Sequence, residues 1–204
     1  MQALQPAKVL LDVQNITLHV SRSEFERLCL DNPELRLELS SSGELIAMPP
    51  AGWGSSRRNS ELNRLLGNWN NQFRSGQVFD SSGGFTLPNG AIRSPDVTWI
   101  SNAKLKGLSE EDAFPEVVPD FVIELRSKTD SLKTLQRKME EYRMVGVKLG
   151  WLVDPQNQQV EIYRVGKEVE VVRSPQADRT SSPTILEGED ILPGLAIAVD
   201  EILG

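Results

Sequence analysis

A carboxylate flanked by apolar residues inside a strand poses a problem that the fold must solve. Glu124 poses it in the run Phe121-Val122-Ile123-Glu124-Leu125. Left unpaired there, it would cost several kcal/mol or stay protonated. A cation, a metal ion or a cleft must offset that. Strand parity puts Asp120, Val122, Glu124 and Arg126 on one face, with Phe121, Ile123 and Leu125 on the other. A second acid, Asp96, opens the strand-like run DVTWI directly after Pro95. A proline there directs the chain so that the acid projects at the sheet end. Two carboxylates on neighbouring strands chelate a hard divalent cation, because Mg²⁺ takes one or two carboxylates and completes its shell with water and substrate phosphate. To share one ion, Asp96 and Glu124 must lie within about 6 Å of each other.

A lysine would complete such a site, orienting water and stabilising charge that develops on phosphorus. Lys138 is the best candidate, since on a helical wheel it lies about 40° from Tyr142, at the edge of a buried stripe. Arg126, two residues after Glu124, fills the slot where an E-x-K motif has its lysine, but a guanidinium is a poor general base. Glu61 is a further candidate acid. Each residue also has an ordinary structural role: Asp96 as a turn residue, Glu61 as a helix-surface acid, Lys138 as a snorkelling surface lysine. Their combination in this order carries more weight than any one of them.

The elements that must position these residues can be read from periodicity. Ser21 and Glu24 have capping-box spacing before a short helix over 23–30. Runs 35–39 and 44–48 read as a hairpin. Residues 55–73 are helical, with Leu62, Leu65, Leu66 and Trp69 on one face, and Ser75-Gly76 closes the helix. Strands are expected over 77–79, 85–87, 96–100, 121–125 and 149–153, with a helix over 131–145 that packs Leu135 and Met139 on the sheet and turns Lys138 toward Glu124. VEIYRV and VEVVR form a hairpin, and ILPGLAIAV is a last apolar run. The acidic stretch 101–119 is the candidate for a mobile lid. The whole, 1–204, reads as one domain, with 1–34 as an extension of it.

Composition removes other chemistries. One histidine, His19, lies in a strand-like apolar run and reads as structural; no GxSxG elbow accompanies it. One cysteine, Cys29, excludes an intramolecular disulfide and a multi-cysteine zinc site. No phosphate-binding glycine loop is present. The first 14 residues lack a signal-peptide pattern and no apolar run is long enough to span a membrane, so a cytoplasmic protein is expected. The formal net charge of −7 opposes a broadly cationic surface. Basic residues are instead local: Arg57, Arg58, Arg64 and Arg74 in one stretch, Lys133, Arg137 and Lys138 in another.

Taken together, SPDVTWI, PDFVIELRSKTDSLKTLQRKMEEYRMVGVKLGWLVDP and EIYRV resemble the Uma-two family of restriction endonucleases, a branch of the PD-(D/E)XK superfamily. The resemblance implies an α/β, restriction-endonuclease-like fold, a mixed sheet flanked by helices. It implies hydrolysis of DNA phosphodiester bonds with Mg²⁺ or Mn²⁺. The family's metal-binding acids fall on Asp96 and Glu124, its lysine on Lys138, and the superfamily's first-helix acid on Glu61. Two departures stand out. The leucine-serine-proline that usually follows the core acid is Leu125-Arg126-Ser127-Lys128 here, and a histidine often found near the first long helix is replaced by Arg57-Arg58-Asn59. Arg57, Arg58, Arg126 and Lys128 are thereby the candidate DNA-binding cations, and a homodimer is expected for cutting both strands. The competing readings are a catalytically inactive nucleic-acid-binding or structural module on the same fold, and a hydrolase of a small phosphorylated substrate.

Overall fold

Helix α1 (Arg22–Asp31) starts where its capping box predicts: the Ser21 side chain accepts from the Glu24 amide while the Glu24 carboxylate takes the Ser21 N–H. The computed structural model describes residues 16–174 and 183–204. The expectation that no signal segment is present rests on residues outside that range. Phe25 of α1 packs on Leu37 and Leu39 of β1 (Arg36–Leu39) and on Ile92. β1 forms an antiparallel hairpin with β2 (Leu45–Met48), and His19 makes a single bridge to Glu44 beside it, in keeping with a structural histidine.

Helix α2 (Trp53–Phe73) buries Leu62, Leu66 and Trp69. It ends at Arg74, not at Ser75-Gly76: Arg74 adopts a left-handed φ of 50° and its N–H donates to the Asn70 carbonyl at 2.7 Å. Gly76 instead begins β3 (Gly76–Asp80), packed too closely on Trp99 and the Ile100 carbonyl for a side chain. The chain continues through β4 (Phe85–Thr86), β5 (Ile92–Arg93), β6 (Val97–Ser101), the short α3 (Asn102–Leu105), β7 (Phe121–Leu125), α4 (Leu132–Met144), β8 (Leu149–Asp154), β9 (Gln159–Arg164), β10 (Glu170–Arg173), β11 (Ile185–Glu187), β12 (Ala196–Ala198) and α5 (Val199–Leu203).

This is a mixed α/β fold. Six strands pair in the order β10-β9-β8-β7-β6-β3, and four more in the order β2-β1-β5-β4. Within the larger sheet β7 and β8 run parallel and the other pairs antiparallel. A parallel pair needs a crossover, and α4 supplies it. β7 divides the core by parity: Phe121, Ile123 and Leu125 join α2 and the C-terminal segment in one apolar cluster, while Val122 joins Met139 and Tyr142 of α4 in another. Gly150 in β8 brings α4 close, because a Cβ there would stand 2.6 Å from the Met139 methyl.

The stretch expected to be a mobile lid is docked. The Thr86 amide and hydroxyl donate to the carbonyls of Pro115 (3.0 Å) and Phe114 (2.8 Å), and Leu105 and Leu108 pack against Phe85, Ile100 and Val117. Its acidic composition hid these apolar anchors. Among the described residues, no helix is long and apolar enough to cross a membrane.

Candidate active site

β6 and β7 pair with Val97 opposite Ile123 and Thr98 opposite Val122. One step further along this register, Asp96 faces Glu124, and directly opposed residues on antiparallel strands have Cβ atoms about 4.5–5.5 Å apart. The Leu125 N–H donates to Asp96 Oδ2 at 2.8 Å, tying the first acid to the strand that carries the second. Glu124 Oε1 accepts from the Tyr142 hydroxyl at 2.9 Å and pairs with Lys138 Nζ at 2.8 Å. Lys138 and Tyr142 lie one turn apart on α4, so both reach the same carboxylate. Lys138 turns inward while Lys133 and Arg137 of the same helix are exposed.

The other partner of Lys138 is Glu38 of β1, whose Oε1 lies 2.9 Å from Nζ. Glu38 also accepts from the Ser94 amide at 2.9 Å and from Arg93 Nη1 at 3.1 Å, and Arg93 continues to Glu141 at 2.7 Å. Glu38 is thus a buried member of the site that sequence reasoning missed. Like Glu124, Glu38 stands between two apolar residues, Leu37 and Leu39, a local pattern that marks a buried acid but not its partner.

One ammonium serves two buried carboxylates, and they divide its charge unequally. Burial alone would raise the pKa of Glu38, but Lys138, Arg93 and the Ser94 amide hold it below the usual carboxylate value. Glu124 is pushed up to about 7 by burial, which Lys138 only partly offsets and to which the charges of Asp96 and Glu38 add. Asp96 is also raised, chiefly by burial, against the Leu125 hydrogen bond and Lys138. Lys138 itself is held protonated: burial opposes its charge, but Glu124 and Glu38 together outweigh that.

The donor set suits a hard divalent cation. Asp96 Oδ1 and Glu124 Oε2 receive no protein donor among the described residues, so each acid keeps one oxygen available. Two carboxylates that leave positions open for water and phosphate are compatible with a hard divalent cation. Both pKa values are raised chiefly by burial, and a bound cation would favour the charged form of each acid. Among the described residues, no group of three or more His, Cys, Asp or Glu side chains is placed to hold a metal ion, so any ion here would rest on two protein carboxylates.

The remaining candidates are placed elsewhere. Glu61 is engaged by Arg64 of its own helix, with Nε at 2.9 Å, and among the described residues no hydrogen bond or ion pair joins it to Asp96, Glu124 or Lys138. Arg57 donates to the Gly204 carbonyl, and Arg58 to the carbonyls of Leu203 (3.3 Å) and Gly54 (3.4 Å); they cap the end of α5. Arg126 pairs with fully buried Asp154 at 3.0 Å and so braces the turn after β7. Lys128, next to it, is exposed. Of the arginines expected to bind DNA, Arg57 and Arg58 thus donate to main-chain carbonyls at 203, 204 and 54, and Arg126 is paired with Asp154.

Residues 22–200 match the family described as "Uma2: Putative restriction endonuclease". Among solved structures, the chain is similar to that of a "putative nuclease belonging to DUF820" from Anabaena variabilis ATCC 29413. The two share 20% identity, with a TM-score of 0.69, over 82% of this chain and 89% of that one. At that identity the likeness shows the fold. No curated protein matches the chain.

Proposed function

Since the chain belongs to the Uma2 family, we propose that it is a nuclease that hydrolyses DNA phosphodiester bonds with Mg²⁺ or Mn²⁺ held by Asp96 and Glu124. The observation that carries this reading is the meeting of three elements: Lys138 Nζ lies 2.8 Å from Glu124 Oε1, and Asp96 is the cross-strand neighbour of Glu124. Stability alone does not call for such a cluster, because buried ion networks are often neutral or costly relative to apolar packing.

A divalent cation bound there would polarise a phosphoryl oxygen and lower the pKa of a coordinated water. The chain's own residues do the rest. Asp96 and Glu124 offer their unpaired oxygens, with the Leu125 amide and the Tyr142 hydroxyl fixing how each carboxylate is turned. Lys138 is protonated, so it acts as a cation and not as a general base. Two of its three N–H donors go to Glu38 and Glu124, and the third remains for a phosphate oxygen or the attacking water. As the water oxygen bonds to phosphorus and the ester P–O bond breaks, that ammonium neutralises charge gathering on the phosphoryl oxygens. Cutting both strands would need two such sites, so we read the active form as a homodimer acting on cytoplasmic DNA.

One observation favours an inactive binding or structural module instead: Lys138 is closed between two carboxylates, as in a purely structural triad. Incubating plasmid and single-stranded DNA with the protein in Mg²⁺, Mn²⁺ or EDTA separates the two. Metal-dependent cleavage supports the nuclease. DNA binding without cleavage under any of these conditions supports the module.

A further inference from the structure

We propose that Arg36 is a phosphate-binding residue of this site, gripping a DNA backbone phosphate beside the one that is cut; the proposal rests on the nuclease reading. β1 alternates, with Leu37 and Leu39 packing under α1 with Phe25 and Glu38 on the opposite face reaching Lys138. Arg36 stands two residues before Glu38 and shares its face. Its Nε is shut off from solvent without a hydrogen-bond partner. Among the described residues no ion pair closes its guanidinium, whereas Arg93, Arg126 and Arg58 are committed to Glu38, Asp154 and Leu203.

Glu38, two residues on along the same face and about 7 Å away along the strand, reaches both Lys138 and the Ser94 amide, which places Arg36 next to that end of the site. Val97 pairs with Asp80, so Asp96 and Asp80 lie at the same end of β6 and β3, and the Arg36 charge acts to lower the pKa of each. Neither acid accepts a hydrogen bond from Arg36: Asp80 is turned to Ser82 and Asp96 to Leu125. A guanidinium whose Nε is buried without an acceptor, and whose other nitrogens are bonded to no group among the described residues, suits an anion presenting two oxygens, which a phosphodiester does. Electrostatics favours such a group as well. Arg93 is taken up by Glu38 and Glu141 and Lys138 by Glu38 and Glu124, so a cation at the mouth would help an incoming polyanion to approach these acids. A second metal ion is the wrong occupant, since the guanidinium would repel it.

The test uses Glu124→Gln, which should bind DNA without cutting it, alone and combined with Arg36→Gln or Arg36→Lys. A labelled DNA duplex and single strand are titrated across a salt series, and wild-type cleavage is assayed in parallel. Arg36→Gln should weaken binding roughly tenfold and lower the slope of log affinity against log salt by about 0.9, the share of one phosphate contact. Arg36→Lys should keep the slope yet lose affinity, because a point charge cannot replace a bidentate fork. If Arg36→Gln fails to fold by circular dichroism, the Arg36→Lys result decides alone. Unchanged affinity and slope in the Arg36 variants, with Glu124→Gln binding DNA, overturns the assignment and leaves the nuclease standing. No cleavage by wild type and no DNA binding by any variant overturns both.

Discussion

Asp120 and Glu124 lie on one face of the same chain segment, just before β7 and near its end, and both are sealed from solvent. Asp120 is balanced by charge. The Ser101 amide donates to it at 3.0 Å, and Lys104 and Lys148 each stand 3.0 Å away, both lysines reaching into solvent. Burial would raise its pKa, but these donors more than offset that and hold it low. Glu124 has one cation, itself buried and shared with Glu38, and its pKa rises to about 7. A buried carboxylate is therefore no mark of function by itself. The mark is a charge that the surrounding chain leaves incompletely balanced, since a ligand can then complete it.

The largest expected effect breaks the symmetry of the two positions outright. Glu124→Gln keeps shape and volume and should lower DNA cleavage by about a hundred- to a thousand-fold. Asp120→Asn should leave the cleavage rate nearly unchanged but lower stability by about 1–3 kcal/mol, because buried hydrogen bonds lose their charged acceptor. Rates and urea midpoints of the two variants, measured together, check both halves.

Lys138→Ala comes next. It strips the shared cation from Glu38 and Glu124, and leaving buried charge unpaired costs about 3–5 kcal/mol. The loss should be larger at pH 8 than at pH 5, where Glu124 can take up a proton; a urea melt at each pH tests this.

The comparison is sharpened by pH. Glu124 binds its proton more tightly in the folded chain, with a pKa of about 7 against an ordinary 4.5. Its stabilising share is complete below pH 4.5 and is lost as pH rises through 7, a change on the order of 3 kcal/mol. Asp120 runs the other way: its pKa is lowered from 3.8, so its share is present above that value and is lost as pH falls below it. In EDTA, the stability difference between wild type and Glu124→Gln should therefore change between pH 4.5 and 7, and that for Asp120→Asn should change only at lower pH. The smallest effect is at Arg126. Arg126→Gln should cost about 1–2 kcal/mol and leave DNA affinity unaltered, since Asp154 keeps donors from Gln156 and Asn157.

Much of this was legible in the sequence where the signal is local. The strand 121–125 has the bounds that its apolar run predicts, and α4 turns Lys138 inward as its wheel position allows. Asp96, directly before β6, comes opposite Glu124 because β6 and β7 are neighbouring strands with clear patterns. What stayed hidden depends on distant partners. Glu38 reaches the site from a different sheet, and no local pattern announces that its partner is Lys138 of α4. Arg57 and Arg58 looked free because their acceptors, carbonyls at 203 and 204, lie at the far end of the chain. β5 and α3 are too short for periodicity to show.

The central claim is that Asp96 and Glu124, and not the equally buried Asp120, hold a divalent cation. Calorimetric titration of Mn²⁺ into wild type, Glu124→Gln and Asp120→Asn at pH 8 tests it most directly. The account predicts saturable binding by wild type and Asp120→Asn with similar affinity, and loss of that binding in Glu124→Gln. Equal Mn²⁺ binding by all three proteins, or none by wild type, would contradict it.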